Sequence, residues 1–365
     1  MKKILLILFC LPMTGFGQQT FNFLHNGLNR EYIYYAPANL SVDAPLVFVA
    51  HGFTGSAQGI MSYCGMNTIA DQNGFAVCYP QGTTDSNGDN FWNVGYNFHA
   101  GVTVDDVGFI VSLASYLQST HQLNTINTFF TGMSNGGELS YLLACDGPNV
   151  FRAFAPVAGT IFPNGLANNV CTPVVPVSIF ETHGRNDNIT LIGGDPSDPY
   201  WGPYLSIDTI INFWVNQNSL TDLVIDTFPN FNNPNKITIS YKYSSPNSDN
   251  QVWLYTHKSG HNWGDDGDMV IEQEIWDFFS KMSFTAPSWD CVNNACIDPG
   301  TGTGMYPNIA ACTSDCVVST IEEYSTNKEL INVTDLLVRE TKGNKNEVLF
   351  YIYDDGTVEK KIILE

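Results

Sequence analysis

A serine set among glycines has the clearest chemical pattern in the sequence. The stretch FFTGMSNGGELSYLL places Ser134 between Gly132 and Gly136, after an apolar run and before helically spaced leucines. A serine on a tight strand-to-helix turn has a strained backbone, which is tolerated only where its neighbours lack bulk. The helix that follows directs the positive end of its dipole at a developing oxyanion. The pattern predicts that Ser134 is a nucleophile; the alternative is a glycine turn with a purely structural role.

A serine hydroxyl is a weak nucleophile and needs a general base, for which three downstream histidines are available. His261 lies in KSGHNWG, after an apolar strand pattern and before an amphipathic helix, where a loop would bring the imidazole over the sheet. His257 falls at the end of that strand and is interpreted as a packed or surface side chain. His183 ends an earlier strand and is interpreted as shaping the loop that follows it. We predict His261 as the base.

The imidazole in turn needs a carboxylate that orients it. Behind a serine turn of this kind the chain order is serine, acid, histidine. Asp187 fits that order, because it comes just after a buried strand in FETHGRNDNITL. Asp195 and Asp198 are the alternatives in GGDPSDP, where the neighbouring prolines are typical of turns. We predict Asp187 as the acid.

Backbone N–H groups are expected to stabilise the oxyanion, and two aromatic residues are candidates for substrate contact. The expected donors are the amides of Asn135, directly after the serine, and of Phe53 in VFVAHGFTGSA. Trp92 and Trp263 either line a pocket for an aromatic acyl or sugar group or belong to the core. His51 is interpreted as holding its loop by hydrogen bonds, the alternative being a metal ligand. The sequence predicts no metal site and no cofactor.

The segments that must position these residues alternate between short apolar strands and amphipathic helices. APLVFVAHG, GFAVCYPQG, INTFFTGMS and VVPVSIFETHG are typical of buried strands, and DDVGFIVSLASYLQSTH has its apolar residues at helical spacing. This alternation predicts an α/β domain over residues 18–283, with a mostly parallel sheet covered by helices on both faces. In such sheets, functional groups gather at the carboxyl ends of the strands.

Three segments outside this domain differ from it in composition. Residues 1–17 combine two lysines, a short apolar run and small residues, which predicts a secretory signal peptide. Residues 284–316 are rich in Gly, Pro and Cys and predict a linker held by cross-links. Residues 317–365 are strand-like again, with a β-hairpin around Asp-Gly in EVLFYIYDDGTVEKKIILE.

The cysteines indicate an oxidising environment. Eight of the nine lie beyond residue 17, and an even number in an exported chain favours disulfides. Proximity in the chain favours two pairs in the main domain: Cys145–Cys171 and Cys64–Cys78. The last four cysteines are predicted to pair among themselves, with zinc as the alternative: Cys291, Cys296, Cys312 and Cys316.

The charge of the chain argues against two classes of partner. The net charge is −21, which disfavours binding to nucleic acid and to anionic membrane surfaces. The N-terminal apolar run is too short to span a bilayer, so no stable membrane insertion is expected.

Six blocks, in order over about residues 25–282, resemble a known family: HGFTGSA, VDDVGFIVSLASYL, GMSNGG, APVAG, HGRND and GHNWG. They are similar to the polyhydroxybutyrate-depolymerase-like esterases, which include the feruloyl and acetylxylan esterases of carbohydrate esterase family 1. The resemblance implies an α/β-hydrolase fold and the triad Ser134, Asp187 and His261. It also implies a secreted serine esterase acting on feruloyl or acetyl esters of plant-type polysaccharide, or alternatively on a polyhydroxyalkanoate. Phe53 stands where the family often has Cys, and Gly264 where it has Pro.

The C-terminal segment resembles a second known domain. NVTDLLVRETKGNKNEVLFYIYDDGTVEKKIILE is similar to the type IX secretion sorting domains of Bacteroidetes. The resemblance implies the type IX machinery as a partner and an extracellular or cell-surface location, the alternative being a small β-domain that packs on the hydrolase. A non-catalytic surface binding protein on a hydrolase scaffold is the alternative from another functional class, and a peptidase using the same triad is a third.

Overall fold

The structure, a computed structural model, divides the chain into two compact units, Met1–Phe284 and Thr285–Glu365. The predicted signal peptide, residues 1–17, lies outside the described residues. Parts of the predicted linker and tail also lie outside them. The structure describes residues 19–146, 150–162, 171, 173, 175–228, 237–264, 269–285, 288–299, 304–316, 328–336, 339–342 and 347–362.

The first unit alternates strands and helices along the chain, as the apolar patterning predicts. Its strands are β1 (Gln19–His25), β2 (Leu28–Tyr35), β3 (Leu46–Ala50), β4 (Ala76–Pro80), β5 (Thr83–Thr84), β6 (Asn90–Phe91), β7 (Thr128–Met133), β8 (Ala153–Val157), β9 (Ser178–Gly184), β10 (Asp222–Phe228), β11 (Thr238–Ser245) and β12 (Ser248–His257). Its helices are α1 (Ala57–Tyr63), α2 (Met66–Asn73), α3 (Asp106–His121), α4 (Asn135–Asp146), α5 (Ile207–Gln217) and α6 (Ile271–Met282).

Ten of these strands form one sheet, in the order β1-β2-β4-β3-β7-β8-β9-β12-β11-β10. The six central strands, from β4 to β12, run parallel to one another. The outer strands on both sides are antiparallel. With helices along the chain between the parallel strands, this confirms the predicted α/β-hydrolase fold.

The core lies on both faces of the central sheet. In β3, Leu46, Phe48 and Ala50 pack into one apolar cluster, while Val47 and Val49 pack into the other. Successive side chains of a strand point to opposite faces, so a strand buried on both sides must be apolar throughout. This explains the unbroken apolar runs in the sequence.

The cysteines of the first unit bear out one predicted pair and contradict the other. Cys145, at the end of α4, forms a disulfide with Cys171. The pair Cys64–Cys78 is wrong, because both cysteines are free and buried. Cys78 packs into the same cluster as Ala76, whereas Cys64 packs into the cluster on the opposite face of the sheet. The sheet itself therefore separates the two sulfur atoms.

In its described residues, the second unit contains two small β-sheets and a helix, and disulfides join the first of these sheets to the helix. Its elements are β13 (Asp290–Val292), β14 (Ala295–Ile297), α7 (Ile309–Cys316), β15 (Leu330–Thr334), β16 (Val348–Tyr353) and β17 (Val358–Ile362). Cys291 bonds to Cys316 and Cys296 to Cys312, which confirms that the last four cysteines pair among themselves. The sulfur atoms are therefore used in disulfides rather than as zinc ligands. Antiparallel β16 and β17 confirm the predicted hairpin.

Helices of membrane-spanning length and apolarity are not found in the described part of the chain.

Candidate active site

Ser134 occupies the turn between β7 and α4 in a left-handed backbone conformation. Its φ is 56°, which lies in the left-handed region that residues other than glycine rarely adopt. The N–H of Ser134 donates to the carbonyl of Val157 at 2.8 Å, and its own carbonyl accepts from the N–H of Glu138 at 2.8 Å. The neighbouring strand β8 and the first turn of α4 thus hold the serine in this conformation. Strain retained in this way is typical of a functional position.

The glycines around Ser134 are required by close packing. A Cβ at Gly132 would lie 2.5 Å from the carbonyl oxygen of Gly136, and a Cβ at Gly136 would lie 2.4 Å from that of Ala50. Both distances are shorter than any real contact of a Cβ. Strands β3 and β7 and helix α4 can therefore meet at the serine turn only because these two positions lack side chains.

The predicted acid and base are joined by a short hydrogen bond. Nδ1 of His261 lies 2.7 Å from Oδ2 of Asp187. The other carboxylate oxygen, Oδ1, accepts from the N–H groups of Ile189 and Thr190, each at 2.9 Å. The Asp187 side chain is fully buried, whereas the His261 side chain is 15% exposed. The two backbone N–H groups therefore fix the carboxylate through Oδ1, and Oδ2 faces the imidazole of His261.

All three predicted residues follow parallel strands of the same sheet. Ser134 comes directly after β7, Asp187 three residues after β9, and His261 four residues after β12. Strands β7, β8, β9 and β12 are consecutive in the sheet, so their carboxyl ends lie at one edge. The structure thus brings the serine turn and the acid–histidine pair to the same edge.

The acid and histidine loops are also bonded directly to each other. The side-chain amide of Asn186 donates to the carbonyl of Lys258 at 2.6 Å, and its backbone N–H donates to that of Ser259 at 3.2 Å. At Gly184, a Cβ would lie 2.3 Å from the carbonyl oxygen of Gly260, so the two backbones approach as closely as only glycine permits. This packing fixes His261 relative to Asp187.

The alternative acids and bases occupy structural positions. Oδ1 of Asp195 accepts from the N–H of Ser197, and Oδ1 of Asp198 accepts from the N–H groups of Tyr200 and Trp201. Both aspartates therefore close turns, as the prolines beside them suggest. His257 is buried at the end of β12.

His183 lies behind the acid rather than over the sheet edge. Its Nδ1 is 2.8 Å from Oε1 of the buried Glu181, and its Nε2 lies 2.8 Å from the carbonyl oxygen of Thr190. The same Nε2 is 3.6 Å from Oδ2 of Asp187. Burial acts to lower the pKa of His183, but the Glu181 carboxylate outweighs it and the pKa is raised. His183 thus supports the acid loop, as the sequence indicates.

The electrostatics of the pair favour an ionised acid. Burial acts to raise the pKa of Asp187, but the hydrogen bonds from His261 and from two backbone N–H groups outweigh it. The pKa of Asp187 therefore lies below its usual value. An ionised carboxylate beside Nδ1 holds the proton of the neutral imidazole on that nitrogen, which leaves Nε2 free to accept another.

The two predicted oxyanion donors lie at the ends of neighbouring strands. Phe53 follows β3, and Asn135 is the first residue of α4 after β7. Within the described part of the chain, neither backbone N–H has a hydrogen-bond acceptor. The side chain of Asn135 is buried, and its amide both accepts from the N–H of Trp92 at 2.7 Å and donates to its carbonyl at 3.1 Å. Asn135 therefore anchors the serine turn to the loop that carries Trp92.

The two tryptophans expected as pocket candidates are both buried. Trp92 is completely inaccessible, and its indole N–H donates to the carbonyl of His51 at 2.9 Å. Trp263 is 3% exposed and packs into the core beside α6. Of their two sequence interpretations, this placement fits the core one, in which the rings hold the loops of the site.

His51 uses both ring nitrogens to hold its loop. The N–H of Gly82 donates to Nε2 at 3.0 Å, so the proton resides on Nδ1 and is donated to the carbonyl of Gly52 at 2.7 Å. Burial lowers the pKa of His51 to about 4, with a smaller contribution from the charge of Arg30. A neutral imidazole with both nitrogens occupied fits the loop-holding interpretation and leaves no lone pair for a metal.

An aromatic surface near the site is not indicated by any sequence motif. The ring of Phe53 packs against Phe98 and Trp201, at centroid distances of 5.8 and 5.7 Å, and Phe98 packs against Tyr200 at 4.8 Å. These residues come from loops about 50 to 150 positions apart in the chain. The only signal in the sequence is that GYNFHA and DPYWGPY have aromatic residues outside periodic elements.

Comparison with known proteins places the chain near several esterases. Residues 30–196 match the family model described as Esterase PHB depolymerase. The chain is 26% identical over 265 residues to the bifunctional acetylxylan esterase/xylanase of Neocallimastix patriciarum, covering 72% of this chain and 34% of that protein. It is 31% identical over 159 residues to feruloyl esterase B of Thermothelomyces thermophilus, covering 44% of this chain and 54% of that protein. These matches relate the α/β-hydrolase domain to proteins named as esterases.

A solved structure supports the α/β-hydrolase fold of the first unit. Acetyl xylan esterase from Aspergillus awamori aligns with a TM-score of 0.50 at 18% identity, covering 72% of this chain and 99% of that one. Identity this low establishes the fold alone. The chain spans between about a third and half of the length of the two curated relatives.

A buried carboxyl next to the serine turn gives the stability of the first unit a specific pH dependence. Glu138 is 5% exposed, and its Oε2 accepts from the hydroxyl of Tyr96 at 2.5 Å. Burial raises the pKa of Glu138 to about 8, although hydrogen bonds from Tyr96 and Asn135 act in the opposite direction. The folded state therefore binds this proton more tightly than the unfolded chain, in which the pKa is near 4.5.

We expect Glu138 to contribute a fall in the free energy of unfolding as the pH rises from about 4.5 to about 8, because the unfolded chain releases this proton first. The variant Glu138→Gln, which is neutral throughout, should show a shallower fall. Urea unfolding followed by tryptophan fluorescence at pH 5 and pH 8 measures the difference. Glu31→Gln removes an exposed carboxyl of β2 and should keep the wild-type slope. Equal slopes for Glu138→Gln and the wild type would contradict the assignment.

Proposed function

We propose that the protein is a secreted serine carboxylic-ester hydrolase that works through an acyl-enzyme, with Ser134 as nucleophile, His261 as base and Asp187 as acid. The observation that carries this proposal is the 2.7 Å contact between Asp187 and His261, at the sheet edge where Ser134 sits on its left-handed turn. A buried carboxylate, a partly exposed imidazole and a strained serine at one edge are the parts that acyl transfer requires.

In the acylation step, Nε2 of His261 takes the proton of the Ser134 hydroxyl as Oγ attacks the ester carbonyl. The imidazolium that forms is stabilised by the ionised Asp187 on its other nitrogen. Negative charge develops on the carbonyl oxygen, and the free N–H groups of Phe53 and Asn135 are the donors that we assign to it. Asn135 is also the first residue of α4, so the helix dipole acts in the same direction.

In the second half of the reaction, His261 gives its proton to the leaving alcohol and the acyl group remains on Ser134. Water then enters, loses a proton to His261 and attacks the acyl-enzyme through the same oxyanion site. The free serine is regenerated when the imidazolium returns its proton. Apart from the ester and water, every group in this scheme belongs to the chain.

For the substrate, we propose feruloyl or acetyl esters of a plant-type polysaccharide. Two relatives support this choice, since one is named as an acetylxylan esterase/xylanase and the other as a feruloyl esterase. The second candidate is a polyhydroxyalkanoate, which is favoured by the description of the matching family, Esterase PHB depolymerase.

A panel of natural esters tests this proposal. We expect the purified protein to release acetate from acetylated xylan or ferulate from feruloylated arabinoxylan, and to leave a suspension of polyhydroxybutyrate turbid. The Ser134→Ala variant is the control for spontaneous hydrolysis. Clearing of the polyester without release of acetate or ferulate would contradict the polysaccharide ester and favour a polyhydroxyalkanoate as the substrate.

Covalent labelling distinguishes a serine esterase from the alternative, a non-catalytic binding protein. A binding protein on a hydrolase scaffold would not react with a fluorophosphonate probe, whereas an activated serine is phosphonylated. We expect wild-type protein to be labelled and Ser134→Ala to remain unlabelled. An unlabelled wild type that is folded by circular dichroism would favour the binding module.

We further propose export through residues 1–17 and sorting through residues 317–365 by type IX machinery. The three disulfides support an oxidising location. The three-stranded sheet of β15, β16 and β17 is compatible with a small sorting domain. Fusion of residues 317–365 to a periplasmic reporter, in a host with this machinery, should bring the reporter to the cell exterior. A reporter that stays in the periplasm would contradict the proposal.

A further inference from the structure

Beside the oxyanion loop lies a patch of aromatic side chains, here called the aromatic platform: Phe53, Phe98, Tyr200 and Trp201. Neighbouring ring centroids are 4.8–5.8 Å apart, so the four form one continuous group. Phe98 is 37% exposed and Tyr200 is 57% exposed. Exposed aromatic side chains that adjoin one another mark an interaction surface more often than scattered ones do.

The loops that carry the platform are held in place before any ligand binds. Oδ1 of Asp198 accepts from the N–H groups of Tyr200 and Trp201, at 2.8 and 2.6 Å. The carbonyl of Trp201 accepts from the N–H of Asn97 at 2.9 Å. Gly202 has a φ of +100°, and a Cβ there would lie 2.7 Å from the Asn97 side chain. A preformed surface loses little entropy when it binds.

A polar groove adjoins the platform at Phe98. Its cavity volume is about 910 Å³, and Phe98 and His99 line it together with residues that carry hydroxyl or carboxylate groups: Thr83, Thr84, Ser86, Asp85 and Glu31. Within the described residues, the buried hydroxyl oxygen of Thr83 makes no hydrogen bond. The groove is therefore large, polar and supplied with donors and acceptors.

The groove is coupled to the oxyanion loop through Asn90. Its side-chain amide donates to the carbonyl of Gly55 at 2.7 Å, and its own carbonyl accepts from the N–H of Thr54 at 2.8 Å. Gly55 and Thr54 follow Phe53 directly in the chain. A ligand in the groove would thus contact Asn90, which is bonded to the loop that supplies one of the assigned oxyanion donors.

The charges of the groove select against an anionic ligand. Asp85 and Glu31 line it, and Arg30 is paired with the buried Asp106 at 2.6 Å. The imidazole of His99 lies 3.2 Å from Asp85. A neutral polyol meets no repulsion there, whereas a polyuronate would face two carboxylates without a free cation among these residues.

We propose that the aromatic platform and the adjoining groove bind the main chain of a neutral polysaccharide and present its ester substituents to Ser134. The C–H faces of sugar rings pack on Phe98 and Tyr200, and the sugar hydroxyls exchange hydrogen bonds with Thr83, Thr84 and Ser86. This inference rests on the proposed esterase function and specifies the part of the substrate that gives it specificity.

The test measures binding separately from catalysis. In a full-length Ser134→Ala background, we expect binding to soluble neutral arabinoxylan in affinity electrophoresis. Phe98→Ala and Tyr200→Ala should each weaken it by about three- to tenfold, the size of a lost aromatic contact. Tyr116→Ala is the matched control, because this exposed tyrosine of α3 packs on Phe23 outside the platform. Polygalacturonate should bind less tightly than arabinoxylan.

A kinetic measurement with Ser134 intact completes the test. Phe98→Ala and Tyr200→Ala should lower kcat/KM on the polysaccharide ester and leave turnover of p-nitrophenyl acetate within about twofold. Equal losses on both substrates, or arabinoxylan binding unaffected by both variants, would overturn the proposal. Binding to polyhydroxybutyrate particles in place of arabinoxylan would also overturn it. Arabinoxylan binding without hydrolysis of any ester would refute the esterase function and leave the binding site standing.

Discussion

Ser134→Ala is expected to lower kcat for p-nitrophenyl acetate by on the order of 10⁶, the effect of removing the nucleophile of a catalytic triad. The fold should survive, because alanine keeps the Cβ that adopts the strained turn at φ 56° and the backbone bonds to Val157 and Glu138 remain available. The measurement is steady-state turnover together with fluorophosphonate labelling and a thermal unfolding curve. We expect labelling to disappear while the melting temperature changes little.

A second serine provides the matched control for this prediction. Ser115 is exposed on α3, and its hydroxyl donates to the carbonyl of Val111 within the same helix, at 3.1 Å. Ser115→Ala should keep full activity and full labelling. Retention of activity or labelling in Ser134→Ala, with loss in another serine variant, would show that the nucleophile lies elsewhere and would reject the mechanism.

The features that could be predicted from the sequence are those set by local sterics or by chain order. The glycines at 132 and 136 mark Ser134 as the central residue of a tight turn, because such a turn leaves no room for a Cβ two residues before or after it. Alternating apolar strands and helices predict the parallel sheet, and the sheet places residues that follow β9 and β12 at one edge. The contact of Asp187 with His261 agrees with the pair selected from chain order.

The pairing state of Cys64 and Cys78 could not be predicted from the sequence, because it depends on which face of the sheet each helix covers. Proximity favours Cys64–Cys78, but strand parity puts the sulfur of Cys78 on the face of β4 opposite to Cys64. The sequence alone does not state which face α1 covers. The burial of Trp92 is equally non-local, since its hydrogen-bond partners are His51, which follows β3, and Asn135, the first residue of α4.

The aromatic platform shows a different limit of sequence reasoning. Phe53 and Tyr200 belong to separate loops and Phe98 to a short 3₁₀ helix, Asn97–His99, and no periodic pattern connects them. Their meeting depends on turns such as the one that Asp198 closes at Tyr200 and Trp201. Asp198 is an alternative acid in the sequence, whereas in the structure it shapes this surface. Loop residues acquire such roles only when the scaffold is known.

Asp187→Asn is expected to lower kcat by about 10⁴ with little change in stability, because an amide orients the imidazole in the wrong tautomer. The asparagine oxygen can keep the bonds from Ile189 and Thr190 to Oδ1, which turns its NH₂ group towards His261. Nδ1 then accepts instead of donating, the proton moves to Nε2, and that nitrogen can no longer take the proton of Ser134. Turnover of p-nitrophenyl acetate and thermal unfolding measure the two effects.

Asp195→Asn, which keeps the turn bond to Ser197, is the matched control and should retain full activity. Loss of activity in Asp195→Asn with retention in Asp187→Asn would place the acid on the second loop and refute the role of the 2.7 Å contact.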